Sequence, residues 1–287
     1  MKHYLKLLRP HQWVKSGFVL VGLIFGHRWN DSALLENVLL AALSFALAAS
    51  AVYVMNDLAD RGRDREHPEK RHRPLASGSV GVTQALMLAG VCLVSALVLA
   101  QAASNAVLLI IVIYAVINVA YSMGLKHVVL LDVFIISAGF MLRLLAGTLG
   151  VGIAPSHWLL LCGLMLTLFL GFAKRRAELN AMEGEGGSHR EVLDDYDQVL
   201  LDKLIGICAA SAIISYSLYT VSPETVAMHG TTSLIMTVPF VIYGIFRYLF
   251  LLHRRGGGGD PAIALLKDAH LLGAFAGWFV TVIALLR

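Results

Sequence analysis

Apolar runs long enough to cross a bilayer recur along this chain, and they restrict its fold more than any other feature. A membrane-crossing helix needs about 20 apolar residues, because backbone N–H and C=O groups find no water in the hydrocarbon core and must satisfy one another. Runs of this kind are expected at roughly residues 15–28, 34–57, 80–102, 104–122, 130–150, 156–173, 203–222, 233–252 and 269–286. They predict an all-α, polytopic membrane protein of about nine transmembrane helices, with residues 1–287 forming one domain.

The position of the charges then says more than their sum. A net charge of +4 on a soluble chain would suggest an anionic partner such as nucleic acid. Here the basic residues gather in alternate connecting segments: Lys2 to Lys15, Arg61 to Arg73, Lys126, Lys174 to Arg176, and Arg254 to Lys267. The positive-inside rule places the amino terminus and these segments at the cytoplasmic side of an inner (plasma) membrane. No nucleic-acid partner is expected, and membrane lipid is the surrounding phase. Cys92, Cys162 and Cys208 stand singly within apolar spans, and no H-E-x-x-H pattern is present, so neither a disulfide framework nor zinc is expected.

The second expected span ends in an acidic cluster followed at once by a basic segment, ASAVYVMNDLADRGRDREHPEKRHRPLASG at residues 49–78. At about 100° per helical residue, Asn56, Asp57, Asp60 and Asp64 fall near about 0°, 100°, 40° and 80° and share one face. Carboxylates continuing a membrane helix are costly, roughly 2.5–3.5 kcal/mol each at its centre, and call for a compensating partner. Oxygen donors of this kind suit a hard cation, and Mg²⁺ commonly binds through one or two carboxylates plus substrate phosphates. Pro68 should end the helix, letting residues 67–78 fold back with Lys70, Arg71 and Arg73 as phosphate-neutralising charge. A purely topological role for the basic half is the competing reading.

Other polar positions gain meaning only by association with that face. Lys15, at the mouth of the first span, either snorkels to headgroups or meets a substrate. Tyr121, Lys126 and Asp132 flank the next cytoplasmic turn. Arg143 lies eleven residues after Asp132, roughly 16 Å along a helix, and a cation at that depth requires an internal partner or a ligand. Lys174, Arg175 and Glu178 share one helix face, either as a salt-bridged exit or as phosphate contacts oriented by the glutamate.

The pattern N-D-x-x-D-x-x-x-D at Asn56 to Asp64, with Y-x-x-x-L-K at Tyr121 to Lys126, resembles the UbiA superfamily of intramembrane prenyltransferases. R-P-H-Q-W-V-K at Arg9 to Lys15, the run from Asp64 to Pro74, G-L-K-H at Gly124 to His127 and K-R-R-A-E-L at Lys174 to Leu179 are more specifically similar to its polyprenyl-phosphate phosphoribosyltransferase branch. The resemblance implies a nine-helix bundle whose cavity opens to the cytoplasm. It implies Mg²⁺ held by Asn56, Asp57, Asp60 and Asp64, with Lys126 also catalytic. Phosphoribosyl diphosphate as donor and polyprenyl phosphate as acceptor would be met by Lys15, Lys70, Arg73, Tyr121, Lys126, Arg143, Lys174, Arg175 and Glu178, for lipid-linked pentose synthesis of the arabinose type. A second aspartate pair, D-x-x-x-D, is usual in the superfamily, but here Asp132 is followed by Ile136. An aromatic prenyltransferase using a prenyl diphosphate and a non-enzymatic transporter are the alternatives, and a homo-oligomer is left open.

Overall fold

The computed structural model describes residues 2–26, 30–68, 70–182, 191–254, 264–265 and 267–286, and every regular element among them is helical. A short helix, α1 (Lys2–Leu8), precedes a 3₁₀ helix over Pro10–Leu20 that passes into α2 (Val21–Phe25). The long α3 (Ser32–Ala59) turns at Asp60 into α4 (Arg61–Glu66). Next come α5 (Val82–Ala103), α6 (Asn105–Met123), α7 (Leu131–Ala146), α8 (His157–Met182) and α9 (Gln198–Val221). The short α10 (Pro223–His229), then α11 (Val238–Arg254) and α12 (Ala269–Leu285), complete the chain.

Among the described residues, seven helices are long and apolar enough to cross a membrane, which makes this a multi-pass membrane protein. The two remaining expected spans differ in form. The last is helical but only 17 residues long. The first is 3₁₀ helix up to Leu20 and α-helix from Val21 to Phe25, its last two residues lying outside those described; a 3₁₀ rise of about 2.0 Å per residue carries the eleven residues Pro10–Leu20 further than an α-helix would. Its path is set by backbone packing: a Cβ on Gly22 would lie 1.9 Å from the Gly147 carbonyl oxygen, and one on Gly147 would lie 1.7 Å from that of Val19.

The chain packs as two compact units, Met1–Val128 with Ala138–Pro155, and Val129–Ser137 with Ser156–Arg287. In the first, α5 turns a row of small residues inward, Ala85, Ala89, Cys92, Ala96, Ala100 and Ala103, all buried. That spacing of three and four lets α3 approach closely through Ala41, Ser44, Ala48 and Ala51, as small residues do between membrane helices. Ser44 Oγ donates across the contact to the Ala96 carbonyl (2.8 Å). The second unit has a bulkier core, with Leu168, Phe169 and Phe172 of α8 against Leu201, Ile205 and Ala209 of α9 and Tyr248 and Leu252 of α11.

Helix starts follow from local chemistry. Asp31, Ser104, Asp197, Ser222 and Asp268 cap α3, α6, α9, α10 and α12, each accepting a backbone N–H from the first turn. The stop before Pro68 lies where expected, with His67 extended beyond Glu66. Gly78, at φ 77°, makes the turn toward α5.

Candidate functional site

The acidic face of α3 and α4 is built from the first unit alone. Asp57 and Asp64 are buried, 2% and 4% exposed, while Asp60 is half-buried at the junction of the two helices. Residues 70–78 fold back over them as the sequence suggests. Arg73 Nη1 donates to Asp57 Oδ1 (3.1 Å) and Asp64 Oδ2 (2.8 Å), while Arg61 and Arg65 donate to the Leu75 and Ala76 carbonyls. From the amino-terminal segment, Arg9 donates to Asp57 Oδ1 at 2.6 Å and lies over the Tyr53 ring. Lys126, in the turn after α6, donates to Asp60 Oδ1 at 2.7 Å, and Arg63 reaches the same oxygen at 2.9 Å. Asn56 donates to Asp60 Oδ2 (3.2 Å) and accepts from Ser122 Oγ (3.4 Å).

The placement of Arg9 depends on its neighbours. Leu7 is fully buried, and Ser50 Oγ accepts from Trp13 Nε1 (2.9 Å) and donates to the Leu8 carbonyl (2.9 Å), fixing the segment to α3. Arg9 itself is left-handed, φ 51° and ψ 58°, a conformation that non-glycine residues hold at a cost of order 1–3 kcal/mol when their surroundings impose it. Sequence spacing does not single Arg9 out; the only signal was its place in the R-P-H-Q-W-V-K stretch.

Asp60 lies outside the spans. Burial raises its pKa, but the Lys126 hydrogen bond and the charges of Lys126 and Arg63 outweigh that and hold it below the usual carboxylate value. The donor set of Asn56, Asp57, Asp60 and Asp64 is all oxygen, the chemistry that suits Mg²⁺. Among the described residues, however, no three His, Cys, Asp or Glu side chains converge as a ready-made metal site. Instead each carboxylate is in contact with a guanidinium or ammonium group.

Other residues singled out by sequence fall in different settings. Lys15, Lys70 and Tyr121 are half-buried, in the first 3₁₀ helix, in the turn Lys70–His72 and in the last turn of α6. Arg143 is 5% exposed and forms no ion pair among the described residues. It donates to the Gly139 carbonyl (2.7 Å) and Tyr114 Oη (3.2 Å), with the rings of Tyr114, Phe45 and Phe140 4.9, 5.1 and 5.7 Å away. Aromatic faces and dipoles thus compensate this cation.

Lys174, Arg175 and Glu178 belong to the second unit. Lys174 is exposed, whereas Arg175 is 1% exposed, paired with the fully buried Asp132 (2.7 Å) and with Glu178. Tyr196 Oη donates to Asp132 Oδ1 (2.9 Å) and accepts the Leu130 N–H (2.8 Å). Burial, with the Asp132 charge adding to it, pushes the Tyr196 hydroxyl well up, so it stays protonated as that donor. Leu130 is the other non-glycine residue with positive φ among those described, 66°. Arg175 is therefore engaged by protein carboxylates instead of standing open to a phosphate.

A multi-pass membrane chain with an aspartate cluster opposed by basic residues at the end of α3 is the arrangement expected of an intramembrane prenyltransferase. Residues 16–272 match the UbiA prenyltransferase family model, and the chain belongs to that family. Decaprenyl-phosphate phosphoribosyltransferase of Mycolicibacterium smegmatis is 32% identical over 97% of this chain and 90% of that protein. The protein of that name from Corynebacterium glutamicum is 33% identical over 98% and 86%. A UbiA homolog from Archaeoglobus fulgidus, bound to GPP and Mg²⁺, has the same fold: TM-score 0.74, 21% identity, 99% of both chains covered.

Proposed function

We propose that this chain is a polyprenyl-phosphate phosphoribosyltransferase, moving 5-phosphoribose from phosphoribosyl diphosphate to a polyprenyl phosphate and releasing diphosphate at the cytoplasmic face of the plasma membrane. The observation that carries this reading is the cation excess of the first unit: Asp57, Asp60 and Asp64 face Arg9, Arg63, Arg73 and Lys126, an arrangement suited to a polyanionic donor. The relatives' name supports the choice of donor and acceptor.

Asp57, Asp60 and Asp64, with Asn56, are the residues that would hold Mg²⁺. Bound there, the ion supplies charge stabilisation for the departing diphosphate. Arg73, Arg9 and Lys126 neutralise phosphate oxygens of the donor, and Lys15, Lys70 and Tyr121 are further contacts of the same unit. Bond breaking at the anomeric carbon develops oxocarbenium character, as in other glycosyl transfers. The acceptor phosphate is already anionic near neutral pH, so the chain must place it and need not deprotonate it. No protein nucleophile is assigned.

The test incubates purified protein in detergent with Mg²⁺, polyprenyl phosphate and phosphoribosyl diphosphate. Phosphoribosylated lipid with stoichiometric diphosphate is expected. Folded protein that forms neither, or that instead joins a prenyl diphosphate to an aromatic acid, would overturn the proposal.

A further inference from the structure

Asp57, Asp60 and Asp64, which a divalent ion would need, are each already paired with a cation, and Arg9, Arg63, Arg73 and Lys126 are each already paired with a carboxylate. Arg73 joins Asp57 and Asp64, Arg9 holds Asp57, and Lys126 with Arg63 holds Asp60. We propose that Arg9, Arg73 and Lys126 exchange partners on loading, from the aspartates to the phosphates, so that a divalent ion and a diphosphate bind as a coupled pair and neither binds well alone. This deepens the functional reading of the same cluster and rests on it.

The electrostatics follow from the pairs. Three carboxylates against four cations leave a single net positive charge. A divalent ion alone raises this to about plus three and sets displaced guanidinium groups beside a metal. A diphosphate of about three negative charges alone inverts it to about minus two and leaves two buried aspartates uncompensated. Both together leave the cluster near neutral, with metal on carboxylates and cations on phosphates. Asp57 and Asp64 are buried, so solvent screening does not relieve either unbalanced state. Arg73 is suited to the exchange because it sits beyond the helix end, in the segment folded back between α4 and α5, with its side chain 27% exposed. The coupling is reciprocal: whatever factor the diphosphate contributes to metal affinity, the metal contributes to diphosphate affinity.

The experiment uses the full-length protein in detergent, with Mn²⁺ as the metal probe read by electron paramagnetic resonance and inorganic pyrophosphate as the anion. Mn²⁺ is titrated alone and with pyrophosphate, corrected for the complex the two form in solution. Without anion, Arg73→Met is expected to bind Mn²⁺ about 10-fold or more tightly than the wild type, and the enhancement by pyrophosphate shrinks by a similar factor. Lys126→Met, which leaves Arg63 on Asp60, shows the same trend and serves where Arg73→Met does not fold. Wild-type protein that binds Mn²⁺ alone as tightly as both variants, with no help from pyrophosphate, would overturn the exchange. Turnover of phosphoribosyl diphosphate is followed in parallel. Turnover without coupling refutes the exchange alone, and coupling without turnover refutes the functional reading alone.

Discussion

The two units each hold a polar cluster, and the clusters differ in how far their charges are satisfied from within. In the second unit Asp132 accepts a hydrogen bond from Tyr196 on Oδ1 and ion-pairs with Arg175 through Oδ2, and Arg175 is sealed at 1% exposure between Asp132 and Glu178. In the first, three aspartates share four cations, and Arg9, Arg73 and Arg63 keep side-chain exposures of 23%, 27% and 60%. Similar chemistry thus yields a brace in one place and an open ion-exchange face in the other. The general point is that burial of the cation, more than the presence of the acid, separates a structural pair from one that can change partners.

The comparison breaks most visibly at Asp132. Asp132→Ala leaves the Arg175 charge buried with one partner fewer, and a loss of about 3–5 kcal/mol is expected in thermal or denaturant unfolding in detergent. Replacing the pair together, Asp132→Leu with Arg175→Met, should recover most of it, since apolar residues of similar volume often substitute for buried pairs. A folded, stable Asp132→Ala protein that has lost only turnover would make this cluster a substrate site. Asp60→Asn tests the other side of the contrast. There the expected outcome is about a 100- to 1,000-fold fall in Mg²⁺-dependent turnover, the scale of losing charge stabilisation at a reacting centre, in protein that stays folded. Unchanged turnover would refute the metal assignment. Gly147→Ala separates loss of fold from loss of site in the same unit: its Cβ would meet the Val19 carbonyl oxygen at 1.7 Å, and overpacking of this kind costs about 1–3 kcal/mol in the same unfolding assays.

How much was legible beforehand follows from the distance over which each feature is encoded. Asn56, Asp57, Asp60 and Asp64 were readable as one face because helical periodicity is local, and the fold-back was readable because Pro68 dictates the break. The row Ala85, Ala89, Cys92, Ala96, Ala100 and Ala103 carried a signal for close packing that hydropathy alone passes over. Arg9 was not legible as a partner of Asp57, since the two are 48 residues apart and only tertiary packing joins them. The Asp132, Arg175 and Tyr196 cluster is non-local in the same way, so Arg175 read as a phosphate contact in sequence and is an internal pair in the fold. At its depth Arg143 needs an internal partner or a ligand, and what surrounds it is a set of ring faces, a tyrosine hydroxyl and the Gly139 carbonyl, which no charge pattern announces. Hydropathy likewise cannot tell the 3₁₀ conformation of Pro10–Leu20 from an α-helix.

Acid sharpens the contrast with a smaller effect. Asp268 caps the last helix and accepts both a Leu271 N–H (3.0 Å) and a two-pronged contact from Arg247 (3.1 and 2.8 Å). The Arg247 hydrogen bond, ahead of the Leu271 N–H, pulls its pKa from 3.8 to about 2. With the folded value depressed, the unfolded chain binds more protons between those limits, so stability rises with pH across the window. The contribution is complete above the unfolded value and is lost as pH falls through about 2. Asp60 shifts in the same direction and adds to the same acid loss. Wild type and Asp268→Asn should therefore differ in denaturant stability near neutral pH and converge as the medium is acidified toward about pH 2. A difference that stays constant down to that limit would mean that Arg247 braces α12 by shape and not by charge, unlike the ion pairs of either polar cluster.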